Sequence, residues 1–442
     1  MASARVWVPH GPCAAGIRGR VQWRGFASIP NHPSPSFPLR SAAGPEAPVA
    51  LGRRAFMFMG AASVTAPSVS ASGGEGGEPC APAPPAKHPR PPAPPRRLPA
   101  PPGANPPPRP ARTPAPPPPP ALAGSKVSFE RDAQGRERVA LRPDGWDYFE
   151  WESAEWGTHR VHYIERGDPS KPTLLLIHGF GASAYHWRYN VGALSDDFHV
   201  LAVDMLGFGW SDKPLADYSC GELWVSQMED FLRRKGVGRA VVAGNSLGGY
   251  VALALAARDP ALVRGLVLLN SAGSFAADTP APGDAGAAAA GPLGRLREAV
   301  AVAAQRVAVG ASFLLAKQRP RIRQVLSSVY VDQEKLDDDL VESIARPADD
   351  PNAPEVFRRI ITQRKRPVDE LLEAVEAPVL LLWGMRDPWM VPRRADQVMR
   401  ALGDNTRGAT AEMAPLGDAG HCPHDDDPDA VNAALKRWAA AL

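Results

Sequence analysis

The chain of 442 residues is 44% hydrophobic and 22% charged, with four cysteines and a formal net charge of +3. This is enough apolar side chain for a large buried core, as one large domain or two. The basic excess lies mainly in the first 120 residues and carries no zinc-finger spacing or RNA-binding aromatic signature, which argues against a nucleic-acid partner. Cys13, Cys80, Cys220 and Cys422 are spaced as neither a disulfide framework nor a metal site, and no apolar run reaches the about 20 residues that span a bilayer.

Residues 1–70 read as a targeting region. Arg5, Arg18, Arg20, Arg24 and Arg40 precede the first acidic residue, Glu46, in a stretch rich in Ser and Ala, the pattern of an organellar transit peptide. Arg53 and Arg54 then introduce an apolar run from Ala55 to Ala66, as in a twin-arginine signal. The expected location is the chloroplast, with stroma as the simpler destination and thylakoid lumen as the alternative. Residues 71–127 read as a linker: of the 50 prolines, 21 fall between Ala81 and Pro120, a density that favours extended, solvated backbone.

Residues 128–442 carry the fold. "WDYFEW" (146–151) and "THRVHYIE" (158–165) alternate as paired strands do. "TLLLIHG" (173–179), "HVLAVD" (199–204), "AVVAG" ending at Gly244, "GLVLLN" (265–270) and "PVLLLWG" (378–384) are apolar without alternation, as in strands covered on both faces. Helical stretches such as 222–234 and 247–257 lie between them. The pattern predicts an α/β class fold with a mostly parallel central sheet. Residues 271–376 break the rhythm. An Ala/Gly/Pro-rich segment from Ala276 is followed by helical patterns over 295–316, 321–331, 337–345, 354–362 and 368–374. This interval reads as a helical cap over the carboxyl ends of the strands. An apolar stripe at Phe313–Leu315 is cap core or a chain-binding wall.

Gly244-Asn245-Ser246-Leu247-Gly248 follows a strand pattern and opens a helix, the context of a nucleophile elbow. A serine hydroxyl is a weak nucleophile without a base, so partners are needed. Asp387 lies just past the "PVLLLWG" strand and His421 lies in a loop before the last helix, in the order nucleophile, acid, histidine. Glu376 precedes its strand, Asp418 is too near His421 to serve as the acid, and His424 is the competitor to His421. The amides of Leu247 and Phe180 are the candidate oxyanion donors, with His178 and Asp204 as loop-shaping residues. Trp187, Tyr250 and Trp389 are candidate pocket residues.

"HGFGASAYHWRYN", "LGFGWSDKP", "GNSLGGYVAL" and "GHCPHDDDPDAVN" together resemble the α/β-hydrolases of the large AB-hydrolase group, over the region from about Trp146 to Leu442. Among these the chain is most similar to plastid hydrolases related to pheophytinase, and to relatives labelled epoxide-hydrolase-like. The resemblance implies a serine enzyme with Ser246, Asp387 and His421 in the catalytic roles and no cofactor or metal. It implies an apolar small-molecule ester as substrate, such as the phytol ester of magnesium-free chlorophyll, and peripheral association with thylakoids without a stable membrane span. Epoxide hydrolases of the usual kind use an aspartate where this chain has Ser246, which disfavours that mechanism. Hydrolysis of a carbon–carbon bond by the same three residues, and a non-catalytic ligand-binding protein on a hydrolase fold, stay open as alternatives.

Overall fold

The computed structural model describes residues 127–278, 308–363 and 365–442. The expected targeting region, the Pro-rich linker and the first part of the expected 295–316 helix lie outside the described residues, and 308–316 is helical.

The strand expectations hold. β1 (Phe129–Arg131) and β2 (Glu137–Val139) form a small antiparallel hairpin ahead of the main sheet. β3 (Asp147–Ser153), β4 (Gly157–Arg166), β5 (Thr173–Ile177), β6 (His199–Val203), β7 (Ala240–Asn245), β8 (Val263–Leu269), β9 (Val379–Gly384) and β10 (Ala411–Leu416) form one sheet in the order β10-β9-β8-β7-β5-β6-β4-β3. β3 and β4 pair antiparallel, β4 joins β6 antiparallel, and the remaining pairs are parallel.

The central strands read as unbroken apolar runs because helices cover both faces. Successive side chains of a strand point to opposite sides, so Leu175 and Ile177 join one buried cluster while Leu174 and Leu176 join another. The Glu222–Arg234 and Leu247–Arg258 helices close the first face. The Val191–Leu194 turn and the Pro428–Ala439 helix close the second. In the first helix Glu222 lies in the opening turn and Arg233 and Arg234 in the last, where each charge opposes the helix dipole.

Between β8 and β9 no strand occurs among the described residues. Helices Arg319–Ser327, Asp338–Ala345, Ala353–Thr362 and Val368–Leu372 occupy the interval. The cap has its own apolar cluster around Ile322, Leu326, Leu340 and Val341. The second of the expected cap helices, 321–331, ends early, at Ser327. Beyond it the Val329 carbonyl accepts the His421 amide, and the Val331 and Asp332 amides donate to the Asp426 carboxylate. Among the described residues no helix is long and apolar enough to cross a membrane, and no group of three or more His, Cys, Asp or Glu side chains is placed to hold a metal.

Candidate active site

The turn after β7 puts Ser246 in a left-handed conformation, φ 53° and ψ −116°, which a side-chain-bearing residue adopts only under local strain. The flanking glycines make the turn possible. A Cβ on Gly244 would strike the Gly248 carbonyl, and one on Gly248 would strike the Ile177 carbonyl, well inside van der Waals contact. Gly248→Ala is therefore expected to cost about 3 kcal/mol or more of stability, since rigid backbone offers no room to relax; thermal denaturation of the variant checks this.

The carboxyl ends of four adjacent strands build the site. Ser246 follows β7, Asn270 follows β8, Asp387 follows β9 and His421 follows β10. His421 Nε2 lies 3.0 Å from Ser246 Oγ, and its Nδ1 lies 2.7 Å from Asp387 Oδ2. Asp387 and His421 are buried, while Ser246 is half-buried. Burial pushes the Asp387 carboxyl up, but hydrogen bonds from His421 and from the amides of Trp389 and Met390 outweigh it, and the group is held below its ordinary value. An ionised Asp387 accepts the Nδ1 proton of His421, which leaves Nε2 as the acceptor facing the serine hydroxyl. This hydrogen-bonded chain is what base activation of a serine requires.

Leu247 is the first residue of its helix, where amide N–H groups have no intrahelical carbonyl. Gly179 lies against Asn245 and Ser246, which brings the Phe180 segment beside the nucleophile turn. The Phe180 ring packs edge-on to Phe208 and tilts onto Phe357 of the cap. Trp389 is half-buried, with its ring edge-on to His421 at 4.9 Å, so it borders the site. The expectation that Trp187 and Tyr250 line a pocket is corrected. Trp187 is wholly buried against His424, with ring centroids 4.1 Å apart. Tyr250 is sealed in the core, its hydroxyl accepting from the Arg366 amide and donating to the Cys220 carbonyl. Both are buried against neighbouring loops and helices and so leave no face for a substrate.

The rivals are spoken for. Glu376 pairs with Arg407 and Asp418 with Arg386, both at exposed positions. His424 is fully buried with no partner for either ring nitrogen, and burial drives its pKa well below the ordinary value. His178 accepts the Met205 amide at Nε2 and donates Nδ1–H to the Gly179 carbonyl, and burial lowers its pKa to about 3. Asp204 accepts the amides of Ala184 and Trp210, which joins two loops at the rim, and burial raises its pKa to about 6.

Two asparagines escaped the reading of the sequence. Asn245 Nδ2 donates to the His421 carbonyl at 2.9 Å and to the Leu269 carbonyl at 3.1 Å. Asn270, with φ 40°, donates to Asp387 Oδ2 at 2.8 Å and accepts from the Gly384 amide at 2.8 Å. It follows the strand that lies between those of the nucleophile and the acid and braces the acid from the side. Asn270→Ala leaves a buried amide unpaired and frees the carboxylate. About 1–3 kcal/mol of stability and about tenfold in turnover, about 1.4 kcal/mol of barrier, are expected to be lost, which denaturant titration and ester kinetics check.

Residues 172–428, more than half of the chain, match the alpha/beta hydrolase fold family. Chloroplastic pheophytinase of Arabidopsis thaliana is 29% identical over 324 residues, 63% of this chain and 64% of its own length. Epoxide hydrolase 3 of Xenopus tropicalis is 37% identical over 114 residues, 25% of this chain and 31% of its own length. The chain thus spans less than two thirds of either relative. Among solved structures, a bacterial membrane phospholipase A described as a virulence factor is 28% identical, with a TM-score of 0.51 over 68% of this chain and 87% of that one. On the family match and on the sheet order, the chain belongs to the α/β-hydrolase fold family.

Proposed function

We propose that the protein is a serine hydrolase that cleaves carboxylic esters, with Ser246 as nucleophile, His421 as general base and acid, and Asp387 as the orienting carboxylate. The observation that carries this reading is the unbroken hydrogen-bonded chain from Ser246 Oγ through both nitrogens of His421 to Asp387. Ser246 attacks the ester carbonyl as its proton passes to His421 Nε2. The oxyanion is received by the amides of Phe180 and Leu247, each worth about 3 kcal/mol of barrier in such sites. The alcohol leaves with the proton from His421. Water then repeats the sequence on the acyl-enzyme and frees the acid. A serine at the elbow, with no carboxylate in its place, speaks against epoxide opening despite the short stretch shared with an epoxide hydrolase.

The finer reading is a lipophilic ester, with the phytyl ester of a magnesium-free chlorophyll as the first to test. The support is the pheophytinase likeness and the aromatic surroundings of the site at Phe180, Phe357 and Trp389. A chloroplast location, with peripheral contact to thylakoids, belongs to the same proposal and rests on the arginine-rich leader. The full chain and its Ser246→Ala variant are incubated with pheophytin a and with esters of graded acyl length. Serine-dependent release of phytol supports the finer reading. Turnover of simple esters with pheophytin untouched keeps the esterase and discards the phytyl substrate, and no serine-dependent turnover at all overturns the proposal.

A further inference from the structure

His421 is held by its backbone on two sides. Its carbonyl accepts from Asn245 of the nucleophile turn, and its N–H donates to the Val329 carbonyl of the cap at 2.9 Å. At Gly420 the Val329 carbonyl comes so close that a Cβ would collide with it. Cys422, on the other side of His421, is buried inside the cap's own apolar cluster. The loop that carries the base is thus built into the cap as much as into the sheet.

Two adjacent carboxylates seal this junction. Asp425 accepts from Nε of Arg188 at 2.8 Å and from the Tyr330 hydroxyl at 2.9 Å. Arg188, wholly buried, also holds Asp337 and the Lys335 carbonyl of the cap. Asp426 has a different task. Its Oδ2 accepts the Gly420 amide at 2.7 Å and the Val331 amide at 3.0 Å, and its Oδ1 accepts the Asp332 amide at 2.8 Å. One carboxylate therefore gathers the residue before His421 and two consecutive residues of the cap.

We propose that Asp426 is a positioning residue for His421, and that through it the seating of the cap sets the placement of the general base. The inference rests on the hydrolase reading above. Asp426 touches no reacting atom. It fixes the backbone from which the imidazole reaches 3.0 Å to Ser246 Oγ. A displacement of about 1 Å at such a contact costs up to about 100-fold in rate. A substrate that shifts the cap therefore also moves the base.

The test measures the rate at which a fluorophosphonate probe labels Ser246 in the full chain, together with kcat and KM on an ester that the parent cleaves. Asp426→Asn keeps the shape but turns an NH2 group toward amides that need an acceptor. Tyr330→Phe removes the hydroxyl that ties the same cap segment to Asp425 and to His186 Nε2, and keeps the ring. Labelling and kcat are expected to fall about 10- to 100-fold for D426N and a few-fold for Y330F, with KM little changed and unfolding still cooperative. Should D426N fail to fold, Y330F decides whether the seating of the cap sets the base, and an unchanged labelling rate overturns the proposal. Labelling rate and kcat within twofold of the parent, with only a lower melting temperature, would reduce Asp426 to a structural residue and overturn the proposal. A parent that the probe does not label at Ser246 sinks the hydrolase reading as well, so the two failures are told apart.

Discussion

Replacing Ser246 with alanine is expected to lower ester turnover by about 10⁶-fold and to abolish fluorophosphonate labelling, with the fold intact. The hydroxyl meets His421 Nε2, and Ser246 is half-buried, so water replaces the lost contact at little cost. Alanine keeps the same Cβ at φ 53°, so the strain of the turn is unchanged. Substrate binding rests on other groups, so KM should hold near the parent value. Because nucleophile and base act as a unit, adding His421→Ala to the serine variant should cost almost nothing further. A variant that keeps more than about a hundredth of the parent rate would show that the hydrolysis runs elsewhere in the molecule. Paired kinetics of the parent, the single and the double variant settle the point.

Acidification is expected to weaken the fold well before ordinary carboxylates titrate. His178, His186 and His424 are wholly buried, and burial lowers their pKa values to about 3, to about 4 and well below the ordinary value respectively. Each is neutral in the folded protein and takes up a proton on unfolding once the pH drops below about 6.5. The stability they contribute is complete above that pH and is lost as the pH falls toward the folded values. Asp204 works the other way: its pKa of about 6 makes it protonated in the fold and ionised in the unfolded chain near pH 5. Three protons gained against one released leaves a net uptake of two. For these four groups that is a loss of about 3 kcal/mol per pH unit between pH 6 and 5, large against a total stability of about 5–15 kcal/mol. Denaturant midpoints at pH 7, 6 and 5 measure it, and a flat profile would mean that these rings are not held neutral. His424→Phe sharpens the test. The ring lies tilted against Trp187 and neither nitrogen has a partner to lose, so phenylalanine keeps the contact and removes one titrating group. The variant should gain on the parent by about 1 kcal/mol for each pH unit of acidification in that window.

The parts of the protein legible in the sequence are those whose residue types are forced by burial on both sides or by a strained turn. β5, β7 and β9 announce themselves because both faces are covered, and the serine turn because only glycine fits at Gly244 and Gly248. β10 passes unnoticed: Ala411–Leu416 includes Glu412 and Pro415 and runs along a sheet edge, half-exposed, where neither alternation nor a continuous apolar run is required. Ser246 and Asp387 are readable because each follows a strand signal, and His421 because it comes third in chain order, in a loop before the last helix. Asn245, Asn270, Arg188 and Asp426 are not. Their partners are backbone groups or side chains far away in the chain, and no spacing rule joins Asn270 to Asp387 across 117 positions. Trp187 and Tyr250 misled because nearness in sequence to a reactive loop does not say which way a ring turns.

The small hairpin of β1 and β2 has a bearing on how the protein is handled at the bench. Arg138 on β2 forms ion pairs with Asp337 and Asp339 of the cap, and Gln134 in the turn reaches Glu334. Asp337 is also the residue that Arg188 grips from the core side and the N-cap of the Asp338–Ala345 helix. These two strands are therefore a buttress of the lid that arrives from the other end of the chain. A shortened protein that begins after Val139 would keep every residue of the Ser–His–Asp group and still lose a clasp on the element that seats its histidine. Activity should thus depend on a segment that a motif search would discard as leader, and any trimming of the proline-rich stretch has to stop short of Phe129.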